Sequence, residues 1–563
     1  MNILGISCFY HDSAACLMKD GKIVAAAQEE RFNRRKNSEE FPIEAINFCI
    51  QAGDITFDAI DYVGFYEKPY LKFSRVLVQH LRSYPFSFKN FLDTIPSWLC
   101  DRLILPSVLE KKLGYKGNVV FIKHHLSHAA SAFLVSPFDR AAIMTADAVG
   151  EWASMTWGVG NGNDIKIHKE MRYPDSLGLI YTAVTTYLGF KAHSGEGKVM
   201  GLAGYGKPAY IDELKKIVSL RPDGSIKVDT SYFNFNRGAR MYTNRFVRKF
   251  GPPRMPETEP EQKYCDMAAS LQKLTEDALI AAARNLYNET KIDKLCLAGG
   301  IFLNCIANWK IRQETPFKEI FIQPAAGDSG GAIGAAAYIE HVLLRRPRTY
   351  VMTTASLGPA FFERHIKRAL ANHNLPFREL NDNDLTKYIA EKLAQGKIIG
   401  WFHGRMELGP RALGNRSILA NPSIPGIKDT VNARVKKREA FRPFAPAVLV
   451  EKSAEYFDMD CPSPFMLLAP LVRQEKKNVI PGITHVDDTA RVQTVDRENF
   501  PLFWQLIKEF ENITGVPVLL NTSLNLRGEP IVCTPEDAIE VFKKSEIDYL
   551  VLENCVVEKS NTK

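Results

Sequence analysis

The hydrophobic pattern along the chain predicts alternating strands and helices. Short apolar runs at 2–9, 13–18 and 23–27 are typical of strands, and Asp20-Gly21 predicts a hairpin turn between the last two. Further strands are predicted at 118–121, 141–145 and 294–297, and apolar residues at helical spacing predict helices at 42–51 and 261–286. Hairpins combined with strand–helix crossovers indicate an α/β (mixed α+β) fold.

The length of 563 residues is too great for one ordinary core. A small-residue helix after Gly334 runs into the basic, proline-containing sequence Arg345-Arg346-Pro347-Arg348, which is typical of a linker. We therefore predict a first domain over 1–345, a linker over 346–355 and a second domain over 356–563.

Composition narrows the class of protein and of partner. Hydrophobic residues make up 45% of the chain and charged residues 24%, as in a globular protein, and no apolar run is long enough to cross a bilayer. His11 and Asp12 interrupt the first apolar stretch, so a signal peptide is not expected, and ten scattered cysteines favour reduced thiols in a cytoplasm. The net charge of +8 suits phosphorylated small molecules better than nucleic acid. We expect no nucleic-acid or membrane partner, and a monomer or homodimer.

A metal site is predicted from two histidines and two aspartates. His124 and His128 have the i, i+4 spacing that places both imidazoles on one face of a helix. Asp147 ends an apolar run, and Asp328 stands where a glycine-flanked turn opens into a small-residue helix. This mixed nitrogen and oxygen set suits Fe²⁺, Mn²⁺ or Zn²⁺. The alternative is a purely structural histidine pair.

Two glycine-rich segments are candidate nucleotide sites. Gly299 and Gly300 stand where a strand turns into a helix that carries Asn304, an arrangement that brings a backbone close to a phosphate. The segment 193–208 places Gly197 and Lys198 among four further glycines. A simple tight turn is the alternative meaning of the glycine pair.

Cationic residues are concentrated in the second predicted domain. Arginine beside glycine or proline is typical of a bidentate grip on phosphate, whereas we interpret Lys436 as part of a solvated face. Ser523 and Asn525, at the end of an apolar strand, are candidate hydrogen-bond donors. The candidate phosphate ligands are Arg405, Arg411, Arg416, Lys437, Arg438, Arg442, Arg491 and Arg527.

Nearly the whole chain resembles the NodU/CmcH-type O-carbamoyltransferase family. The resemblance is carried by H-D-S-A (11–14), H-H-L-S-H-A-A-S-A (124–132), G-E-G-K-V-M-G-L-A (195–203), L-A-G-G-I-F-L-N (297–304), G-D-S-G (327–330), G-R-M-E-L-G-P-R-A-L-G-N-R-S-I (404–418), K-R-E-A-F-R-P-F-A-P (437–446), H-V-D-D-T-A-R-V-Q-T-V (485–495) and N-T-S-L-N-L-R-G-E-P-I-V (521–532). Leu524, where phenylalanine is expected, is the one noticeable departure.

The resemblance implies a fold and a reaction. An N-terminal domain of the actin-like ATPase class (ASKHA, TsaD-like) is expected to precede a YrdC-like domain. The second domain would convert carbamoyl phosphate and ATP, with Mg²⁺, into carbamoyl-adenylate and pyrophosphate. The first would transfer the carbamoyl group to a hydroxyl, with a divalent metal, commonly iron, held by His124, His128, Asp147 and Asp328.

The resemblance also suggests roles for individual residues. His11 would act as general base or oxyanion donor, although a turn-capping histidine is the alternative, and Asp12 would orient it or hold the acceptor. Lys198 is a further catalytic candidate. Gly197, Gly299, Gly300 and Asn304 would hold the nucleotide, and the cationic residues and the 523–525 segment would bind the phosphates.

The acceptor is not readable from the sequence. A sugar, an antibiotic, a toxin or an oligosaccharide is expected, and the aromatic-rich segment 68–112 would form its wall, with Phe73, Tyr84, Phe86, Phe88, Phe91 and Trp98. Three competing hypotheses are a tRNA threonylcarbamoyl-adenosine synthase, a metal-dependent hydrolase and a non-catalytic actin-like scaffold. The hydrolase hypothesis lacks the glutamate of H-E-x-x-H, because position 125 is histidine.

Overall fold

The computed structural model describes residues 1–82, 84, 87–235 and 240–559. The chain divides into two compact units, Met1–Glu29 with Asn37–Met352, and Glu30–Lys36 with Thr353–Lys563. The predicted domains were contiguous, whereas the short segment Glu30–Lys36, which contains helix α1 (Glu30–Asn33), belongs to the second unit. Arg34 anchors it there by donating to the carbonyl oxygens of Ile531 and Pro530 at 2.6 and 3.0 Å.

The first unit contains two five-stranded sheets with the same topology. One has the order β3-β2-β1-β4-β5 and the other the order β12-β11-β6-β7-β8. In each, three antiparallel strands are followed by two parallel ones. This repetition within an α/β fold confirms the predicted fold class. The strands are β1 Asn2–Ser7, β2 Ala14–Lys19, β3 Lys22–Gln28, β4 Tyr62–Phe65, β5 Asn118–Phe121, β6 Arg140–Ala146, β7 Ala153–Asn161, β8 Asp164–Arg172, the separate hairpin β9 Val218–Leu220 and β10 Ile226–Val228, β11 Lys294–Ala298 and β12 Glu319–Ile322.

Two helices of the first unit, one packed on each five-stranded sheet, also pack against each other. Helix α6 (His124–Phe133) lies on β6 and β11, and α13 (Asp328–Ala337) lies on β1 and β2. Small residues allow the close approach, because a Cβ at Gly334 would overlap the Ser127 carbonyl oxygen. The remaining helices are α2 Ile43–Ala52, α3 Pro69–Arg82, α4 Phe88–Ser97, α5 Leu105–Leu113, α7 Leu177–Tyr187, α8 Glu196–Ala203, α9 Ile211–Ile217, α10 Asn244–Phe250, α11 Gln262–Thr290 and α12 Cys305–Glu314.

The second unit is built on a mixed eight-stranded sheet with the order β13-β20-β19-β14-β15-β18-β16-β17. Its central strands β14, β15 and β16 are buried along their whole length and, apart from Arg416 and Ser417 at the start of β15, consist of apolar residues, glycine and proline. The strands are β13 Arg378–Glu379, β14 Ile399–Phe402, β15 Arg416–Ala420, β16 Ala445–Leu449, β17 Gln493–Val495, β18 Val518–Ser523, β19 Tyr549–Leu552 and β20 Cys555–Glu558. The helices are α14 Glu363–Asn372, α15 Asp382–Ala394, α16 Ile427–Thr430, α17 Ser453–Tyr456, α18 Pro501–Thr514 and α19 Pro535–Lys544.

The predicted linker is fixed to the first unit at its start. Arg348 donates to the carbonyl oxygens of Phe133, Leu134 and Ser136 at 2.8 to 3.2 Å, and its guanidinium lies 4.5 Å from the Phe133 ring centroid. Arginine in this basic stretch is therefore a backbone clamp as well as a solubilising charge.

Candidate metal centre and anion-binding cluster

The four predicted metal ligands meet because three elements begin or end at one place. His124 opens α6 and His128 follows one turn later, Asp147 comes directly after β6, and Asp328 opens α13. One ligand atom from each residue lies within 4.8 Å of the others, and all four side chains are buried. Helix packing thus assembles a set that the sequence spreads over about two hundred positions.

The distances within this cluster are short. His124 Nε2 and His128 Nε2 are 3.1 Å apart, and Asp147 Oδ2 lies 3.1 and 3.2 Å from them. Asp328 Oδ1 lies 3.6 and 3.7 Å from the same two nitrogen atoms. The donor atoms of His124, His128 and Asp147 are therefore as close to one another as the ligands of one metal ion would be.

The chemistry of the donor set fits a divalent cation. Asp328 is fully buried, and neither of its carboxylate oxygens accepts a hydrogen bond within the described part of the chain. Burial of a carboxylate without a partner is costly, so this residue requires a positive charge. Burial lowers the pKa of His128, but the Asp147 and Asp328 carboxylates outweigh it and raise that pKa to about 9. Two imidazoles and two carboxylates would hold a borderline metal and leave positions for substrate.

Two neighbouring residues support the ligand helix. Glu151 accepts hydrogen bonds from the backbone N–H groups of His124 at 3.0 Å and Lys68 at 2.8 Å, which places a carboxylate at the positive end of α6. His125 faces away from the cluster, with Nδ1 2.7 Å from Thr145 Oγ1 and Nε2 2.9 Å from the Ala153 carbonyl oxygen. Burial lowers the pKa of His125 to about 3, so it stays neutral. The sequence motif did not distinguish it from the ligands.

The predicted catalytic histidine lies beside the metal centre. His11 Nδ1 is 3.0 Å from Asp12 Oδ2, and His11 Nε2 is 4.0 Å from Asp328 Oδ2. Burial lowers the pKa of His11, but Asp328 and Asp12 outweigh burial and raise it to about 10. A cation on Asp328 would offset that carboxylate and make the neutral imidazole easier to form. Asp12 has φ +55°, which aims its side chain back at His11.

The candidate nucleotide residues have mixed outcomes. A Cβ at Gly299 would overlap the Ala146 carbonyl oxygen, so close backbone packing already requires this glycine. Asn304 caps α12 by accepting from Ala307 N–H at 3.1 Å, and its amide also donates to Gln272 Oε1 at 2.8 Å. Gly300 lies beside Asp147, since its Cβ would stand 3.1 Å from Oδ1. Nucleotide binding by these residues stays a prediction.

The glycine-rich segment 193–208 forms a helix at its centre. Gly197 and Lys198 are in the first turn of α8, and a Cβ at Gly197 would meet nothing within 4 Å. Lys198 Nζ lies 5.5 Å from the Phe190 ring centroid. The catalytic role of Lys198 and the nucleotide role of Gly197 therefore rest on the sequence alone.

Lys436 is a buried cation, and therefore a candidate site residue, that the sequence analysis did not select. It is 3% exposed, so its interpretation as part of a solvated face is wrong. Its Nζ donates to the Ser523 carbonyl oxygen at 2.7 Å and to Asn525 O and Oδ1 at 2.9 and 2.6 Å. Ser523 and Asn525, predicted to be donors to a ligand, accept from this lysine, whereas the Ser523 hydroxyl donates to Asn525 Oδ1 and the Asn525 amide donates to the Glu529 carbonyl oxygen, each at 2.7 Å. The signal in the sequence was the apolar residue Val435, which precedes Lys436 at the end of the helical turn Val431–Lys436 and is itself buried.

Arg438 and Arg442 lie near Lys436, whose pKa is lowered by burial and further by these two arginines. Burial lowers the pKa of Arg438, and Arg442 and Arg491 lower it further. Burial also lowers the pKa of Arg442, where Glu439 opposes and Arg491 and Arg527 add to the effect. Glu439 lies 3.8 Å from Arg442 Nη1 and 3.7 Å from Arg527 Nη2. Several cations that lower one another's pKa are typical of a candidate anion-binding site. We call Lys436, Arg438, Arg442, Arg491 and Arg527 the cationic cluster.

Two predicted phosphate ligands have a different role. Arg416 is fully buried and donates to the carbonyl oxygens of His403, Gly404, Asn415 and Pro359 at 3.0 to 3.1 Å. Arg405 donates to the carbonyl oxygens of Gly358 and Leu357 at 3.1 and 2.6 Å. Their guanidinium groups are engaged by backbone, so we reassign both from phosphate binding to holding the 404–418 loop. Arg411 and the exposed Lys437 stay predictions.

The aromatic residues predicted to line the acceptor site are divided between core and surface. Trp98 is 1% exposed and packs on Phe73 with ring centroids 5.6 Å apart. Tyr84 and Phe88 are 70% and 53% exposed. Phe91 lies 5.4 Å from the His80 ring, and Phe86 falls outside the described residues. The described aromatic residues of segment 68–112 therefore do not form one continuous surface.

No helix in the described residues has the length and apolar character needed to span a bilayer. Known proteins are similar in sequence to this chain over nearly its whole length. It is 45% identical to the uncharacterized protein sll1178 of Synechocystis sp., over 99% of this chain and 97% of that protein. It is 37% identical to nodulation protein NolNO of Sinorhizobium fredii, over 98% of this chain and 79% of that protein.

Structural likeness is weaker. The solved structure of T. kodakarensis HypF covers 61% of this chain and 48% of its own, at 16% identity and a TM-score of 0.32, values that carry no functional argument. Family profiles are decisive. The profile described as Carbamoyltransferase N-terminus matches residues 2–337, and the one described as Carbamoyltransferase C-terminus matches residues 390–559. The chain that carries the metal centre and the cationic cluster belongs to the carbamoyltransferase family.

Proposed function

We propose that this protein is an ATP-dependent O-carbamoyltransferase that works in two steps, one in each unit. The second unit would form carbamoyl-adenylate, and the first would transfer the carbamoyl group to the hydroxyl of a small molecule. The observation that carries the proposal is that one chain of this family holds both a buried set of metal-ligating side chains and a cationic cluster around the buried Lys436. Because ATP and carbamoyl phosphate are intracellular metabolites, we expect a cytoplasmic enzyme without a nucleic-acid partner.

The activation step fits the cationic cluster. Carbamoyl phosphate, ATP and water would give carbamoyl-adenylate, phosphate and pyrophosphate. Water cleaves the P–O bond to leave carbamate, whose oxygen attacks the α-phosphorus of ATP as pyrophosphate leaves. Lys436, with Arg438 and Arg442, would neutralise the charge that develops on the phosphates in a site partly shielded from water. Shielding also protects the reactive carbamate from loss.

The transfer step fits the metal centre. The acceptor oxygen attacks the carbamoyl carbon, the C–O bond to AMP breaks, and the acceptor proton is removed. His11, oriented by Asp12 at 3.0 Å, would take that proton as its neutral imidazole. A divalent cation held by His124, His128, Asp147 and Asp328 would supply Lewis-acid stabilisation of phosphate charge. Iron is the metal we favour, with manganese and zinc as alternatives.

The test is acceptor-independent pyrophosphate release from ATP and Mg²⁺, with carbamoyl phosphate present or omitted. The proposal predicts release that depends on carbamoyl phosphate. Release that requires threonine and bicarbonate instead would support the tRNA-modification hypothesis. Nucleotide binding without pyrophosphate release under either condition would support the scaffold hypothesis.

A further inference from the structure

Arg75, on helix α3, is a buried cation without an ionic partner in the described part of the chain. Its residue is 7% exposed, and Nε is buried with no hydrogen-bond partner among the described residues. The described contact of its guanidinium is with the Tyr173 ring, whose centroid is 5.9 Å away. Arginine is rarely buried in this way unless it is paired, so this side chain is set for a group that binds later.

The neighbouring Lys72 is also buried, but unlike Arg75 it has an ionic partner among the described residues. Lys72 lies one helical turn before Arg75, is 3% exposed and forms an ion pair with the buried Glu67. Burial lowers the pKa of Arg75, and Tyr10, Glu67, Tyr173 and Glu151 oppose that effect from a distance. Glu67 is already engaged by Lys72 and Glu151 by backbone amides, so neither is a contact partner of Arg75.

Helix α3 also lies against the metal centre. Glu151 joins the Lys68 N–H, at the start of α3, to the His124 N–H. Lys72 Nζ lies 4.7 Å from the Tyr10 ring centroid, and that ring lies 4.6 Å from the His11 ring. Residues three apart share a helix face, so Arg75 is on the side of α3 that carries Lys72 toward His11. A molecule whose hydroxyl reaches His11 would extend toward Arg75.

We propose that Arg75 binds an anionic group of the acceptor, a carboxylate, phosphate or sulfate, during carbamoyl transfer. The acceptor class is then a hydroxyl compound that carries an acid, such as a uronic acid or a sugar phosphate. This inference rests on the proposed function and narrows its substrate. A guanidinium can engage such a group through two parallel hydrogen bonds, which gives orientation as well as affinity.

The test compares pairs of alcohols that differ by one acidic group, in the wild type and in Arg75→Gln. Glucose with glucuronate, and mannose with mannose 6-phosphate, are offered as acceptors with carbamoyl phosphate and ATP, and carbamoylated product is measured by mass spectrometry. We expect the wild type to prefer the acidic member of a pair by tenfold or more and Arg75→Gln to lose that preference. Arg82→Gln, an exposed residue at the end of the same helix, is the matched control.

Other outcomes of this test contradict the inference. Equal use of both members, or a preference that survives in Arg75→Gln, removes Arg75 from acceptor recognition. Loss of acceptor-independent pyrophosphate release in Arg75→Gln assigns the anion to the donor instead. Pyrophosphate release by the wild type that does not depend on carbamoyl phosphate would contradict the proposed function. That result is distinguishable from failure of the Arg75 inference alone, in which this dependence is retained.

Stability provides a readout that does not depend on turnover. Replacing a residue that has only a structural role lowers the stability of the protein. Replacing a buried unpaired charge by an apolar side chain raises it, because the charge itself destabilises the folded state. We expect Arg75→Met to raise Tm in the absence of ligand. We also expect inorganic sulfate at constant ionic strength to raise the Tm of the wild type more than that of Arg75→Met. A lowered Tm together with equal sulfate shifts, even if no alcohol in the panel reacts, overturns the proposal.

Discussion

The metal centre and the cationic cluster are opposite solutions to the same electrostatic problem. The metal centre buries two carboxylates beside two imidazoles, and these carboxylates raise the pKa of His128 to about 9, so the site favours positive charge. The cationic cluster places the buried Lys436 near Arg438 and Arg442, and Glu439 lies 3.8 Å from Arg442 Nη1 and 3.7 Å from Arg527 Nη2. Each concentrates ionisable groups of one sign, which is typical of a site for an ion of the opposite sign. The first suits a cation and the second an anion.

The largest expected effect separates Lys436 from an exposed neighbour. Lys436→Met should lower carbamoyl phosphate-dependent pyrophosphate release by on the order of 10²–10³-fold, because the buried ammonium is lost from the site of developing charge. Arg434→Gln, on the same helical turn but 64% exposed, is the control and should retain wild-type release. Equal activity of the two variants would show that Lys436 is structural.

A second contrast distinguishes two arginines that the sequence treated alike. Arg416→Gln should destabilise the protein by about 3 kcal/mol, since several buried carbonyl oxygens lose their donor. Arg442→Gln should leave stability near the wild-type value and lower pyrophosphate release by about tenfold. Denaturant unfolding and the pyrophosphate assay measure the two effects. The reverse result would return Arg416 to the list of phosphate ligands.

Glu151 tests how far support of the ligand helix matters. Glu151→Gln removes the charge at the start of α6 and should weaken metal affinity by about tenfold, the range found for residues that orient metal ligands. Glu170→Gln, on the exposed face of β8, is the control. Metal content after dialysis against a graded chelator gives the affinity. An unchanged affinity would mean that helix packing alone positions His124.

The smallest effect is a pH dependence of donor binding. Burial lowers the pKa of Lys436, and Arg438, Arg442 and Lys36 lower it further, whereas a bound anion favours the ammonium form. The bound-state pKa is then the higher one, so binding takes up protons, and affinity falls as pH rises above the free-state pKa, by at most about tenfold per unit. Calorimetry in buffers of different ionisation enthalpy measures the uptake. Lys436→Met should abolish it, and undiminished uptake would point to another group.

Local patterns were enough to predict the metal-site residues and several strands of the first unit. His124 and His128 are fixed by helical spacing, and Asp147 and Asp328 stand at element ends that apolar runs and glycines mark. The strand at 118–121 and the helices at 42–51 and 261–286 were predicted for the same reason, and the structure confirms them. Features that depend only on residues close together in the sequence can therefore be predicted from the sequence.

The cationic cluster was less predictable because burial depends on distant residues. Whether Lys436 faces solvent is decided by Ser523 and Asn525, which lie far along the chain and close over it. Arg416 and Arg405 look like phosphate ligands until the carbonyl oxygens around them are seen. The assignment of Glu30–Lys36 to the second unit is likewise a tertiary property that contiguous patterns do not carry.

The most direct test of two separate sites needs no acceptor. Metal content and carbamoyl phosphate-dependent pyrophosphate release are measured in the wild type, His128→Ala and Lys436→Met. We predict that His128→Ala loses the metal and keeps pyrophosphate release, whereas Lys436→Met keeps the metal and loses release. Loss of both properties in either variant, with the fold intact by circular dichroism, would contradict the division of labour between the two units.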